Sequence, residues 1–461
     1  MAVLPLLGGA GMNAAEAVND ALGALHARFA DVRDGEQADY IPQLTRADPD
    51  DFGLALVSMD GHCYSAGEAD TPFTVQSVSK PFVYALALSS VGLDEVDRWV
   101  GAEPSGEAFN AISLEAGTGR PANAMVNAGA IVTTALVPDT PESPAFDRIL
   151  ACLSRFAGRL LDVDEEVYAS EAATGDRNRA LAYLIRSTGT DYLDPVAAVD
   201  TYFRQCAVRV TAVDLAVMAA TLAYGGVNPL TGETVVSAEV AAQVLSVMAT
   251  CGMYNGSGEW LLRVGLPAKS GVSGGLIAAG PARFGLAAYS PPLDPAGTSV
   301  RGRAALGALS ERYGLHLMRN PALPGSTVTL ATTADVLPSA PAGRRERALR
   351  ERVGIVAAQG ALDFTAAERV LYALDESGAE RTGSVVLDLR EVTGVDSVAL
   401  ELLHAGLARL VADGRRAAVV DPGDRLGPSD LVRERTGRDL PRYGSREEAV
   451  ERCAQALAGP G

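Results

Sequence analysis

"PFTVQSVSKPF", running from Pro72 to Phe82, sets two serines and a lysine at the head of an apolar run. From Ser79 onward, "SKPFVYALALSSVGL" has the 3.6-residue period of a helix, with Pro81 tolerated only near its first turn. On that helix Ser77 and Lys80, three positions apart, share a face with Cβ atoms about 5–6 Å apart. A helix N-terminus offers partial positive charge and free N–H groups, which suit an anionic tetrahedral intermediate. That field, together with burial, lowers a lysine pKa and lets Lys80 take the Ser77 proton. The competing reading is a polar first turn capped by serine. A Ser-x-x-Lys match alone does not decide between them.

A serine–lysine acyl enzyme needs further parts: a second proton relay, and a strand bringing another hydroxyl or amine and an oxyanion N–H. Residues 269–275, "KSGVSGG", match the Lys-[Ser/Thr]-Gly element that penicillin-recognising enzymes carry on such a strand, through Lys269 and Ser270. Its glycines permit the close backbone approach an oxyanion hole requires. Gly271 to Gly275 also fits G-x-S-x-G, the nucleophile elbow of α/β-hydrolases. That elbow needs a helix after it, and the following "LIAAGPARFG" is broken at Gly280-Pro281.

The whole chain narrows the choice. Its 461 residues allow about two to three domains, and 48% hydrophobic with 21% charged residues is ordinary globular composition. A net charge of −18 repels phosphate backbones and excludes nucleic acid as the expected partner. The basic stretch Arg344 to Arg352 reads as a linker or exposed helix. Five scattered cysteines (Cys63, Cys152, Cys206, Cys251, Cys453) without C-x-x-C spacing point to a reducing cytoplasm. The four histidines (His26, His62, His316, His404) lie far apart, so no metal site and no cofactor is expected. The apolar start "MAVLPLLGGAGMN" lacks a basic flank, and no window reaches the ~18 apolar residues of a membrane span.

"FGLALVSMDG" (52–61) alternates and then meets Asp60-Gly61, a hairpin signal. Helices are expected at Arg177–Ser187, Thr211–Leu222 and Ser237–Met248, with strands at "RFGLAAYSP" (283–291) and "TSVRGRAA" (298–305). Residues 319–349, rich in proline and small polar residues, read as a linker. Beyond it the pattern becomes strand–helix–strand with short connections. "GIVAAQGALDF" is a strand and turn, then a helix boxed by Thr365 and Glu368, then the strand "GSVVLDLREV". The helix "DSVALELLHAGLARLVADG" follows, with a stripe of Leu400, Leu403, Leu407 and Leu410, and then the strand "RRAAVVDP". Such order implies at least one parallel crossover.

Several blocks together resemble the serine-dependent glutaminases, relatives of β-lactamases and penicillin-binding proteins in fold. They are "DYIPQL" (39–44), "QSVSKPF" (76–82), "NAMVNAGAI" (123–131), "EAATGDRNRALAYL" (171–184), "DTYFRQC" (200–206), "CGMYNGSGEW" (251–260) and "PAKSGVSGG" (267–275). The resemblance covers roughly residues 14–318. It implies an α+β chain: a β-lactamase-like catalytic domain, an antiparallel sheet with a helical subdomain, followed by a small α/β domain. It further implies that Ser77 attacks the side-chain amide of L-glutamine, with Lys80 as base and Tyr254 as second relay. The N–H groups of Ser77 and Val272 form the oxyanion hole, and Lys269 and Ser270 support the site. Tyr40, Asn127, Glu171, Asn178 and Tyr202 hold the amino-acid end. A carboxylate suits the substrate ammonium, and amide and phenol donors suit its carboxylate. Plainer readings stay open: a turn cap for Asn127, a helix-start charge for Glu171, a surface position for Asn178, core rings for the tyrosines. The runner-up activity is a β-lactamase or D-Ala-D-Ala peptidase. A cytoplasmic homo-oligomer, dimer or tetramer, away from membranes, completes the expectation.

Residues 350–458 resemble STAS domains, the sulfate-transporter and anti-sigma-factor-antagonist group, through "GALDF" (360–364) and "VVLDLREVTGVDS" (385–397). The resemblance implies a regulatory protein or small ligand as partner and places a phosphorylation position at Ser397. The second hydroxyl of the usual turn is absent here, since Val398 follows. A phosphate at Ser397 would meet a helix N-terminus favourably, whereas the competing reading is a cap by Asp396 or Ser397.

Overall fold

A computed structural model describes residues 14–458 apart from 107–113, 116, 190–192, 319–326, 336–351, 380–382, 429 and 438. The expected hairpin at 52–61 forms from β1 (Gly53–Ser58) and β2 (Cys63–Gly67), with Gly61 at φ 82° in the turn between them. Two-residue strands β3 (Phe73–Thr74) and β4 (Arg209–Val210) pair antiparallel just ahead of the turn that holds Ser77. β5 (Ala268–Ser270), β6 (Gly275–Gly280) and β7 (Phe284–Tyr289) complete a five-stranded antiparallel sheet of order β2-β1-β7-β6-β5.

Every residue of β1, β6 and β7 is buried, as expected for strands covered on both faces. One face receives the helix Ala212–Ala223, in which only Val213 is not buried. Thr211 and Asp214 close a reciprocal capping box at its start, and Arg159 Nε donates to Asp214 at 2.6 Å. Gly285 permits the contact with the sheet: a Cβ there would fall 2.1 Å from Ala220 N and 2.2 Å from the Ala216 carbonyl. The helices around 80–91, 127–135, 145–157 and 195–206 build the main apolar cluster beside this layer.

The expected helices appear as Asp176–Ser187, Ala212–Ala223 and Ala238–Cys251, the last capped by Ser237. One expectation fails. "TSVRGRAA" is not a strand but the start of the helix Val300–Arg312, because the Ser299 hydroxyl caps it at Gly302 N, 3.2 Å. The apparent alternation came from Arg301, which is buried as a structural cation. Its guanidinium donates to Ser290 Oγ at 2.8 Å and to the carbonyls of Asp50 and Asp51 at 3.1 and 3.0 Å.

The chain divides into two units, one spanning Ala21–Asn320 and a second built mainly of Pro321–Gly461. The second unit holds a mixed sheet of order β12-β11-β10-β9-β8. Its strands are β8 (Val328–Asp335), β9 (Arg352–Leu362), β10 (Ser384–Val395), β11 (Arg416–Val420) and β12 (Arg442–Tyr443). β9 to β12 run parallel and β8 antiparallel to β9. β8 lies in the stretch read as a linker: the alternating, threonine-rich "VTLATTAD" pairs as an edge strand. Residues 319–326 and 336–351, the rest of the linker but for Thr327 and most of the basic segment, lie outside the described residues.

The helix Phe364–Ala379 is capped by Asp363, whose carboxylate accepts from Ala366 N at 2.9 Å, rather than by a box on Thr365. In the helix Ser397–Ala412, Leu403, Leu407 and Leu410 are buried with Leu402, while Leu400 is only half-buried. Asp396 is its cap, accepting from Val398 N and Ala399 N at 3.1 and 2.7 Å. Ser397 is exposed and takes no part in the cap.

Candidate active site

Ser77 lies in a buried 3-10 turn, Gln76–Ser79, that leads into the helix Lys80–Val91. Ser79 does not cap that helix with its side chain, so the plain capping reading of this stretch fails. Gln76 sits at φ 48°, a left-handed conformation costing of order 1–3 kcal/mol for a residue other than glycine. Strain of this kind persists where the surroundings fix it, and here it sets the turn that presents Ser77. Lys80 is fully buried, with Nζ 2.8 Å from Ser77 Oγ and 2.7 Å from Asn127 Oδ1. Burial pushes its ammonium down to about 8, against the pull of the nearby Cys206 and Glu171.

The other side of Ser77 is built by β5 and the 3-10 turn Tyr254–Gly256. Tyr254, at φ 53°, hydrogen-bonds Ser77, and burial raises its phenol to about 12. Lys269, fully buried on β5, donates to Tyr254 Oη at 3.0 Å and to the Ser270 carbonyl at 2.6 Å. Burial first, and the charge of Lys80 second, hold Lys269 well below the ordinary lysine range. Ser270 is also fully buried, within the same strand. Gly271 brings the following turn against the Gln76–Ser79 turn: a Cβ there would lie 2.9 Å from the Val78 side chain and 3.4 Å from Val78 N. Val272 follows Gly271 in this turn and packs against the buried cluster of Ile41, Leu44, Val167 and Ala207.

A polar cluster surrounds the remaining side. Asn127 opens the helix Asn127–Ala135 without capping it, and its Nδ2 donates to Asn178 Oδ1 at 3.1 Å. Tyr202 Oη donates to Asn127 Oδ1 at 3.3 Å, and the ring of Tyr202 lies 5.9 Å from Lys80 Nζ. Glu171 is buried within the helix Glu165–Thr174, not at its start. Burial raises its carboxyl, while hydrogen bonds from Tyr40 and Gln76 and the charge of Lys80 pull the other way. Tyr40, on the exposed rim, places Oη 2.9 Å from Glu171 Oε1 and 3.0 Å from Gln76 Oε1.

Hydrogen bonds thus join Ser77, Lys80, Tyr254, Lys269, Asn127, Asn178 and Tyr202, and a second set joins Tyr40 to Glu171 and Gln76, while Ser270 and Val272 lie on β5 and in the turn after it. Sequence reasoning passed over Gln76, although it lies beside Ser77; its backbone conformation cannot be read from residue type. It also passed over Cys206, a buried thiol raised to about 12 next to Tyr202 and Glu171. Ser397 belongs to the other unit. A cavity of about 440 Å³ lined by Gln43, Phe73, Thr74, Val272 and Ser273 adjoins the 271–274 turn.

The chain has counterparts among known proteins. Residues 35–318 match the model of the Glutaminase family, and residues 345–427 match the STAS domain. The chain belongs to the glutaminase family. It is 44% identical to Glutaminase 2 of Bradyrhizobium diazoefficiens over 92% of this chain and 69% of that one. Glutaminase of Corynebacterium glutamicum is 44% identical over 87% of this chain and 94% of its own length. The chain spans 62% of the length of Glutaminase 1 of Bradyrhizobium diazoefficiens, with 46% identity. A crystal structure of Mglu superposes with a TM-score of 0.64 at 45% identity, covering 88% of this chain and 98% of that one. As a glutaminase-family member the chain has the α+β architecture expected from its motifs, with the STAS domain following the catalytic unit in sequence. Among the described residues, no helix is long and apolar enough to cross a membrane.

Proposed function

We propose that this chain hydrolyses L-glutamine to L-glutamate and ammonia through an acyl-enzyme on Ser77. The observation that carries the reading is Lys80 Nζ at 2.8 Å from Ser77 Oγ, with a lysine pKa of about 8. Neutral Lys80 takes the Ser77 proton as Oγ attacks the side-chain amide carbon. The N–H groups of Ser77 and Val272 receive the developing oxyanion. Tyr254, whose phenol stays protonated to about 12, is suited to give a proton to the departing nitrogen rather than to act as the first base. Lys269 Nζ at 3.0 Å stabilises the phenolate that this transfer leaves. Ammonia departs, and water then cleaves the Ser77 ester through the same groups in reverse to give glutamate.

Glu171 is assigned to the substrate ammonium, and Asn127, Asn178, Tyr202 and Tyr40 to orienting its two charged ends. Leaving the buried Glu171 and Tyr202 unpaired rejects simple amides, which lack both charges. The same preference for a small zwitterion disfavours acyl-D-alanine mimics, so covalent labelling of Ser77 by penicillin would argue for the peptidase reading instead. The STAS unit is assigned a regulatory or partner-binding role, and the enzyme a homo-oligomeric, cytoplasmic setting. Glutamate release from L-glutamine by the full chain, lost in Ser77→Ala, tests the proposal.

A further inference from the structure

We infer that Ser79, Gln205 and Thr134 form a buried positioning chain that holds Gln76 in its left-handed conformation and so sets the aim of Ser77. This inference rests on the activity proposed above. Ser79 and Gln205 are fully buried, and Thr134 is 1% exposed. Ser79 Oγ lies 2.8 Å from the Gln76 carbonyl, Gln205 Nε2 lies 2.9 Å from Ser79 Oγ, and Thr134 Oγ1 lies 3.0 Å from Gln205 Oε1.

Elementary donor and acceptor chemistry orders the chain. A carbonyl only accepts, so the single Ser79 proton goes to Gln76. Ser79 must then accept, and only the amide N–H of Gln205 can donate to it. That turns Gln205 Oε1 toward Thr134, whose one hydroxyl proton is shared between Gln205 Oε1 at 3.0 Å and the Ala130 carbonyl at 2.8 Å. Every member is therefore oriented by the next, and the last is anchored in the helix that begins with Asn127. None of the three is assigned a contact with substrate. What they fix is the residue before the nucleophile, held at φ 48°. A buried network of this kind is rigid when complete and loses its orientation when any member is removed.

The chain accounts for the second serine of "QSVSK", which the nucleophile assignment leaves without a role. Ser77 takes part in chemistry, and Ser79 positions it through Gln76. Misplacing a reacting atom by about 1 Å costs on the order of 100-fold in rate.

The test uses the full chain with Ser79→Ala, Gln205→Met and the double variant, measuring glutamate release across L-glutamine concentrations beside thermal unfolding. The expected result is a 10- to 100-fold loss of kcat in each single variant, with KM changed less than about threefold. The double variant should be no worse than the poorer single, because one chain is broken once or twice. Full kcat in either single variant, or losses that multiply in the double, would overturn the inference while leaving the activity standing. An unmutated chain that releases no glutamate would overturn the activity and the inference with it. Should these variants not fold, Thr134→Val and Thr134→Ser carry the test. The valine should lose at least threefold in kcat and the serine should recover most of it; equal rates would overturn the inference.

Discussion

Lys80 Nζ stands 2.8 Å from Ser77 Oγ inside a site where burial holds the lysine near 8. As a base it works only when neutral, so kcat/KM should fall about tenfold per pH unit below 8. Above 8 it should level off, since the Tyr254 phenol keeps its proton to about 12. The sign for stability follows from the same depression. The unfolded lysine holds its proton to about 10.4, so the Lys80 contribution is full above that pH and is lost as pH falls to about 8. A pH–rate profile measured from pH 6 to 10 checks the first point; a profile flat through pH 8 contradicts it.

Tyr254→Phe removes one oxygen and leaves the ring against Lys269, whose Nζ lies 4.1 Å from the ring centroid. Loss of the proton relay should lower kcat by about 100- to 10,000-fold. Stability should fall by about 1–3 kcal/mol, because the hydrogen bonds to Ser77 and Lys269 are both removed. Steady-state kinetics beside a melting curve separates the two effects.

Glu171→Gln keeps the shape of the buried residue and removes its charge. A charge-assisted hydrogen bond contributes about 1.5–3 kcal/mol, which is roughly 10- to 150-fold in kcat/KM. Because the ammonium is held in ground and transition states alike, the loss should fall mainly on KM. A variant with unchanged KM removes Glu171 from the ammonium site.

Gly285→Ala tests the fold that carries the site. The added methyl would meet the backbone of Ala216 and Ala220 at 2.2 and 2.1 Å, which no side-chain rotation relieves. Overpacking at such a contact costs about 1–3 kcal/mol or more. Denaturant unfolding should show this loss, whereas an unchanged midpoint would mean that the helix is not pressed on β7.

Much of this was legible in the residues themselves. Asp60-Gly61 gave the hairpin, Thr211 and Ser237 gave helix starts, and "KSGVSGG" gave the strand that meets Ser77, because local hydrogen-bonding and backbone freedom decide such features. The site residues were named from collinear motifs, and their convergence needed the tertiary fold. What escaped was set at a distance or by backbone angle. Arg301 hid a helix behind a strand-like alternation because its partners are carbonyls some 250 positions away. β8 hid in a proline-rich stretch because its short threonine-rich run becomes a strand by pairing with β9, which is not visible locally. Gln76, Ser79 and Gln205 escaped because their roles arise from a left-handed residue and a buried chain of hydrogen bonds.

The central claim is a Ser77 acyl-enzyme that turns L-glutamine into glutamate. Its most direct test is a coupled glutamate-release assay on the purified full chain and on Ser77→Ala. The account predicts release by the unmutated chain and a loss of at least about 1,000-fold in the variant, given the size of nucleophile effects in acyl transfer. Comparable release by Ser77→Ala would contradict it.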